Sequence, residues 1–66
     1  MNLRVNGEDH ACAEACTVTE LVSQLGLHPN MALVELNGRA LFRHEWPETV
    51  LKDGDLVEII RVVAGG

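Results

Sequence analysis

The sequence predicts an α+β domain, a mixed sheet of four to five strands with one main helix packed on one face. Three observations lead there. Only one stretch of the 66 residues, around Val18 to Leu25, carries a helical apolar stripe. The remaining apolar segments are short and extended, and Asn6-Gly7, Asn37-Gly38 and Asp53-Gly54-Asp55 punctuate them as turns. Composition is 47% hydrophobic but only 3% aromatic, with no tyrosine, so the chain folds around an aliphatic core and lies outside the disordered class.

Asn2-Leu3-Arg4-Val5-Asn6 alternates polar and apolar residues, the period of a half-buried strand. Asn6-Gly7-Glu8-Asp9 reads as a turn, and His10 to Cys16 as a returning strand, giving an N-terminal hairpin. Thr17-Val18-Thr19-Glu20 fits a capping box, in which the threonine hydroxyl and glutamate carboxylate satisfy orphan amides of the first turn. Val18, Leu21, Val22 and Leu25 then form one helical stripe. Gly26 stops the helix and Pro29 prevents its resumption.

Met31 to Asn37 is the third strand, turned by Asn37-Gly38 into a fourth from Arg39 to Phe42. A two-residue loop pairs Leu36 with Arg39, Val34 with Leu41, and Leu33 with Phe42. Arg43 to Leu51, containing Pro47, is a loop with a short helical turn. After Asp53-Gly54-Asp55 the final strand runs from Leu56 to Val63, and with no turn residue inside it this strand is expected at the sheet centre. A helix can cover one sheet face only. The order hairpin, helix, hairpin, excursion, strand is that of the β-grasp, or ubiquitin-like, architecture. The expected core is Leu3, Val5, Val18, Leu21, Val22, Leu25, Val34, Leu36, Leu41, Val57 and Ile59.

A chain this short buries only about 60% of its unfolded surface, leaving little room for an internal active-site cavity. That favours a carrier, a binding module or a subunit over a self-sufficient enzyme. The net charge of −5 disfavours nucleic-acid and anionic-membrane partners. The N-terminus lacks a signal-peptide pattern and no apolar run nears the roughly 20 residues of a membrane span, so a cytoplasmic protein is expected. Cys12 and Cys16, if in a strand, lie about 13 Å apart, beyond disulfide reach, and read as small buried hydrophobes. With His10 they are too few for a zinc site. His10, His28 and His44 show no nucleophile–base spacing and read as surface or structural residues, so no catalytic or metal-binding set is expected.

The chain ends in Gly65-Gly66. Two residues without side chains make a thin, flexible tail, able to carry its carboxylate into a narrow active site of another protein. Taken in order, Asn6, Thr17-Val18, Leu36-Asn37, Arg43 with Trp46, Asp53-Gly54-Asp55 and Val63-Ala64-Gly65-Gly66 resemble the ubiquitin-like sulfur carriers, over essentially all 66 residues. Within that group the Arg43–Trp46 pair and the short length are most similar to the carriers of thiamine thiazole biosynthesis.

The resemblance implies that an E1-like adenylyltransferase, using ATP and Mg²⁺, adenylates the Gly66 carboxylate. Sulfur from a persulfide donor protein then displaces AMP to leave a thiocarboxylate (a 1-thioglycine at Gly66), which thiazole synthase consumes. The carrier itself needs no catalytic side chain and no bound cofactor. Two other readings stay open: the small subunit of a molybdopterin-synthase-type system, and a non-covalent β-grasp interaction module.

Strand parity adds a candidate partner surface. Val57 and Ile59 face the helix, so Glu58, Ile60 and Val62 face away, and the second hairpin sets Leu33 and Phe42 on that side. Leu33, Phe42, Ile60 and Val62 thus form an expected docking face, with Glu35 and Glu58 steering a basic partner. The alternative is that the loop from Arg43 to Leu51 folds over this face with Trp46 as its lid.

Overall fold

Asn6 and Gly7 both hold positive φ, 51° and 81°, in the computed structural model, which describes residues 1–62. They make a two-residue turn between strands β1 (Asn2–Val5) and β2 (Glu8–Ala11), with Val5 opposite Glu8 and Asn2 opposite Ala11. The second strand therefore begins two residues earlier than the expected His10 and ends at Ala11 rather than Cys16. A two-residue loop needs only Asn6 and Gly7 in left-handed conformations, so Glu8 and Asp9 already pair with β1.

The chain next turns through Ala13–Ala15, with Ala15 at φ 61° and the Cys16 N–H donating to the Ala13 carbonyl at 3.3 Å. Cys12 to Cys16 is therefore not the extended strand on which a 13 Å separation was expected, and both cysteines are buried in the core, as expected of small hydrophobes.

Helix α1 (Val18–Gln24) has the expected capping box: the Glu20 N–H donates to Thr17 Oγ1 and the Thr17 N–H to Glu20 Oε1, both at 3.2 Å. Its end is a Schellman arrangement. Gly26 sits at φ 72°, its N–H donates to the Ser23 carbonyl, and the Leu27 N–H to that of Val22. Val18, Leu21 and Val22 are buried. Leu25, expected in the core, is the cap residue and only half-buried, because the helix ends before its stripe repeats.

A 3₁₀ turn (Pro29–Met31) leads into β3 (Ala32–Leu36), and Asn37-Gly38 turns the chain into β4 (Arg39–Leu41). Val34 faces Leu41 and Leu36 faces Arg39, the expected register. Leu36, beside the turn, is half-buried rather than buried. A second 3₁₀ turn (Arg43–Glu48) closes onto α1 and buries Trp46. Trp46 therefore joins the core on the helix side instead of lidding the opposite face, and Ala32 and Leu51 join it there.

The last strand, β5 (Leu56–Arg61), is the centre of a five-stranded sheet ordered β2-β1-β5-β3-β4. It runs parallel to β1 and antiparallel to β3. This mixed sheet with one helix on a single face is the β-grasp arrangement. Burial follows parity. Leu3, Val5, Val34, Val57 and Ile59 point to the helix, whereas Leu33, Leu56, Glu58 and Ile60 point away. Arg61 has inward parity yet is exposed, because α1 is too short to reach it. Among the described residues no helix is long and apolar enough to cross a membrane.

Candidate functional site: the outer sheet face and the exit of β5

The strand that leads to the C-terminus is gripped at both ends by asparagine side chains from the two Asn-Gly turns. At its start, the Asn37 N–H donates to the Leu56 carbonyl at 2.7 Å, and Asn37 Oδ1 accepts from the Leu56 N–H at 3.0 Å. Asn37 Nδ2 also donates to Asp55 Oδ1. Asp53 and Asp55 complete this anchor: Asp53 Oδ1 accepts from the Asn2 N–H, and Asp55 Oδ2 from that of Lys52.

At the other end β1 has already turned away at Asn6. The Asn6 side chain continues the ladder in its place, donating from Nδ2 to the Ile59 carbonyl at 3.1 Å and accepting from the Ile59 N–H at 2.8 Å. On the opposite side the Val62 N–H donates to the Met31 carbonyl at 2.7 Å. The chain is thus held by its neighbours as far as Val62. Gly65 and Gly66, the residues expected to carry the chemistry, lie outside the described residues.

The outer sheet face beside this exit is apolar and open. Leu33 pairs with Ile60 across β3 and β5. Leu33, Phe42 and Ile60 are 53%, 71% and 55% exposed, and Val62 is 38% exposed. Of the four residues expected from parity to form a docking face, Leu33 and Ile60 are paired neighbours, whereas the expected pairing of Leu33 with Phe42 does not form because β4 ends at Leu41. Parity also implied an exposed Leu56, which the docking set omitted. Phe42 stacks on His44 with ring centroids 5.7 Å apart. Glu35 stands opposite Glu58 and next to Ala40. These three line a shallow cavity of about 160 Å³ with Leu33 and Ile60. Two carboxylates facing each other across a ladder repel, so this spot favours a cation from a partner.

The expected Arg43–Trp46 pair has a structural role. Arg43 Nε donates to the Pro29 carbonyl at 2.7 Å, and its guanidinium lies 5.7 Å from the Trp46 ring centroid. It fastens the second 3₁₀ turn to the approach of β3 and leaves the outer face uncovered. Among the histidines, His28 caps the first 3₁₀ turn by accepting the Asn30 N–H on Nδ1. His10 lines a concavity of about 280 Å³ on the helix side, together with Val5, Asn6, Glu8, Asp9 and Ile59. Among the described residues no three His, Cys, Asp or Glu side chains converge as metal ligands. Asn6 and Asn37 as clamps on β5 were not legible locally, because each contact joins residues far apart in the chain.

Known proteins match this arrangement over its whole length. The chain is 32% identical over 66 residues to the sulfur carrier protein ThiS of Escherichia coli (strain K12), with both chains covered completely. The crystal structure of a thiamine biosynthesis protein (ThiS) from Geobacter metallireducens superposes with a TM-score of 0.84 at 43% identity, again over the whole of both chains. A thiazole synthase from Paramagnetospirillum magneticum is 30% identical over 66 residues, but the match spans only 20% of that protein. The ThiS family model matches residues 3–66, including the terminal Gly-Gly, and the chain belongs to the ThiS family.

Proposed function

We propose that this chain is a sulfur carrier of thiamine biosynthesis that bears its cargo on the Gly66 carboxylate. The observation that carries the reading is the family match through residue 66, coupled to 32% identity over the full length of a sulfur carrier. A carboxylate at neutral pH is a poor electrophile. Its oxygen attacks the α-phosphorus of ATP, pyrophosphate leaves, and the resulting acyl adenylate has AMP as a good leaving group. The terminal sulfur of a persulfide donor displaces AMP to give an acyl disulfide; a second thiol then attacks the donor's inner sulfur, forming a disulfide with it and releasing a thiocarboxylate, a stable but nucleophilic cargo.

The reaction belongs to an E1-like adenylyltransferase that holds ATP and Mg²⁺, in the cytoplasm where ATP is available. This chain contributes position. Asn6, Asn37 and Met31 hold β5 straight, and the surface formed by Leu33, Phe42, Ile60 and Val62 docks beside the partner's active site. Thiazole synthase is the acceptor, a reading supported by the thiazole synthase whose sequence includes a segment similar to this chain.

The test is the intact mass of protein isolated from cells. Replacing one oxygen by sulfur adds about 16 Da, which should map to the C-terminal peptide. Incubation with the activating enzyme and ATP should release pyrophosphate. A chain that releases none and never carries the extra mass is a binding module and not a carrier.

A further inference from the structure

The outer sheet face carries a charge arrangement that the fold itself does not use. Glu35 of β3 stands directly opposite Glu58 of the central strand β5. The Cβ atoms of such a pair lie about 5 Å apart, and like charges placed there destabilise a sheet. Neither carboxylate enters an ion pair among the described residues.

The chain has five basic residues, and none of them neutralises this pair. Arg4 pairs with Asp9 at 3.5 Å, and Arg39 with Glu45 at 3.6 Å. Arg43 is committed to the Pro29 carbonyl. Arg61 has the parity of the helix side, and Lys52 precedes the turn that opens β5, in no ion pair among the described residues. Counter-charge has to come from outside the chain.

The surroundings say what kind of cation fits. The next row of the sheet is Leu33 opposite Ile60, 53% and 55% exposed. On the other side of Glu35 stands Ala40, whose methyl leaves a hollow of about 160 Å³ between the carboxylates and the two apolar side chains. A cation with an apolar stem and donors for two carboxylates matches that hollow. Arginine has both: methylenes that lie along apolar surface, and a planar, weakly hydrated guanidinium with five N–H donors. The ammonium of lysine is a compact point charge that holds its water more tightly.

We propose that the Glu35–Glu58 pair seats an arginine side chain of the activating enzyme, its stem lying along Leu33 and Ile60. The identity of that partner rests on the carrier reading above, whereas the seat rests on the sheet register. Binding relieves a repulsion that the free chain bears, and a partner presenting a carboxylate there is rejected.

The first test titrates the isotope-labelled full chain with n-butylguanidinium chloride at constant ionic strength. Amide shifts at Glu35, Ala40 and Glu58 should move together and saturate, and n-butylammonium should bind at least about threefold more weakly. The double variant Glu35→Gln, Glu58→Gln should lose the saturable shifts. It should melt at the parent's temperature or above, because it loses a repulsion. The second test is pyrophosphate release with the activating enzyme. There the double variant should raise KM about tenfold and leave kcat unchanged, since Gly66 is untouched.

Shifts that never saturate, or that map to the helix side, overturn the proposal, as does equal binding of the two cations. A double variant that melts lower assigns the pair to the fold, and an unchanged KM takes it out of the interface; either result overturns the proposal as well. An unaltered chain that releases no pyrophosphate refutes the carrier reading instead. Saturable guanidinium binding at Glu35 and Glu58 would still uphold the seat in that case, and its absence would still overturn it.

Discussion

The side chain of Asn6 pairs with the main chain of Ile59 in both directions, 53 residues away in sequence. One amide side chain thereby acts as a one-residue strand, satisfying the N–H and carbonyl of a buried position after β1 has turned away. Asn6→Gly keeps the positive φ of 51° accessible but removes both bonds. It should lower stability by about 1–3 kcal/mol, the usual effect of stranding buried polar groups. Denaturant unfolding measures this, and hydrogen exchange at the Ile59 amide should accelerate by more than at Val57. Equal protection at both amides would show that the clamp contributes nothing.

The outer face predicts a separation of binding from folding. Ile60 is 55% exposed, so Ile60→Asp should change stability by no more than about 0.5 kcal/mol, as at other surface positions. Affinity for the activating enzyme, measured by titration calorimetry, should fall at least tenfold, because a carboxylate would be buried beside Glu35 and Glu58. Unchanged affinity places the interface elsewhere.

Removing Gly66 should likewise spare the fold, with a stability change of about 0.5 kcal/mol or less. Pyrophosphate release with the activating enzyme should nevertheless disappear, since the carboxylate would be withdrawn by about 3.5 Å. A truncated chain adenylated at the normal rate would refute the assignment of Gly66.

Cys16 predicts a pH dependence on the alkaline side. Desolvation by burial, reinforced by Cys12, raises its pKa from 9.0 to about 12 in the folded state. The folded chain therefore holds this proton over a range where the unfolded chain has lost it. Its contribution to stability is complete below about pH 9 and is lost progressively as the pH rises towards 12. Urea midpoints of the reduced protein should fall from about pH 8, below that window, to about pH 9.5 and 10.5 within it, and Cys16→Ala should flatten the slope. An equally steep slope in that variant would assign the loss to other groups.

Much of this architecture is written in local signals. The capping box at Thr17 and Glu20, the stripe of Val18, Leu21 and Val22, and the Asn37-Gly38 turn each depend on residues close together in sequence, and each formed as the pattern implies. Alternation along Leu56–Arg61 likewise determined which side chains meet the helix and which stay open, because a strand's period of two leaves no other choice. The terminal Gly65-Gly66 suggested a carrier from the sequence alone. Tertiary structure decided the rest. Ala-rich residues 10–16 do not encode where a strand stops, and the turn at Ala13–Ala15 is set by the burial of Cys12 and Cys16 on either side of it. Whether Trp46 lidded the outer face or entered the core depended on Arg43 reaching Pro29, a contact across 14 residues. Asn6 could be read only as a turn residue until the fold brought Ile59 within reach of its amide, since a hydrogen bond between distant segments has no periodic trace in sequence.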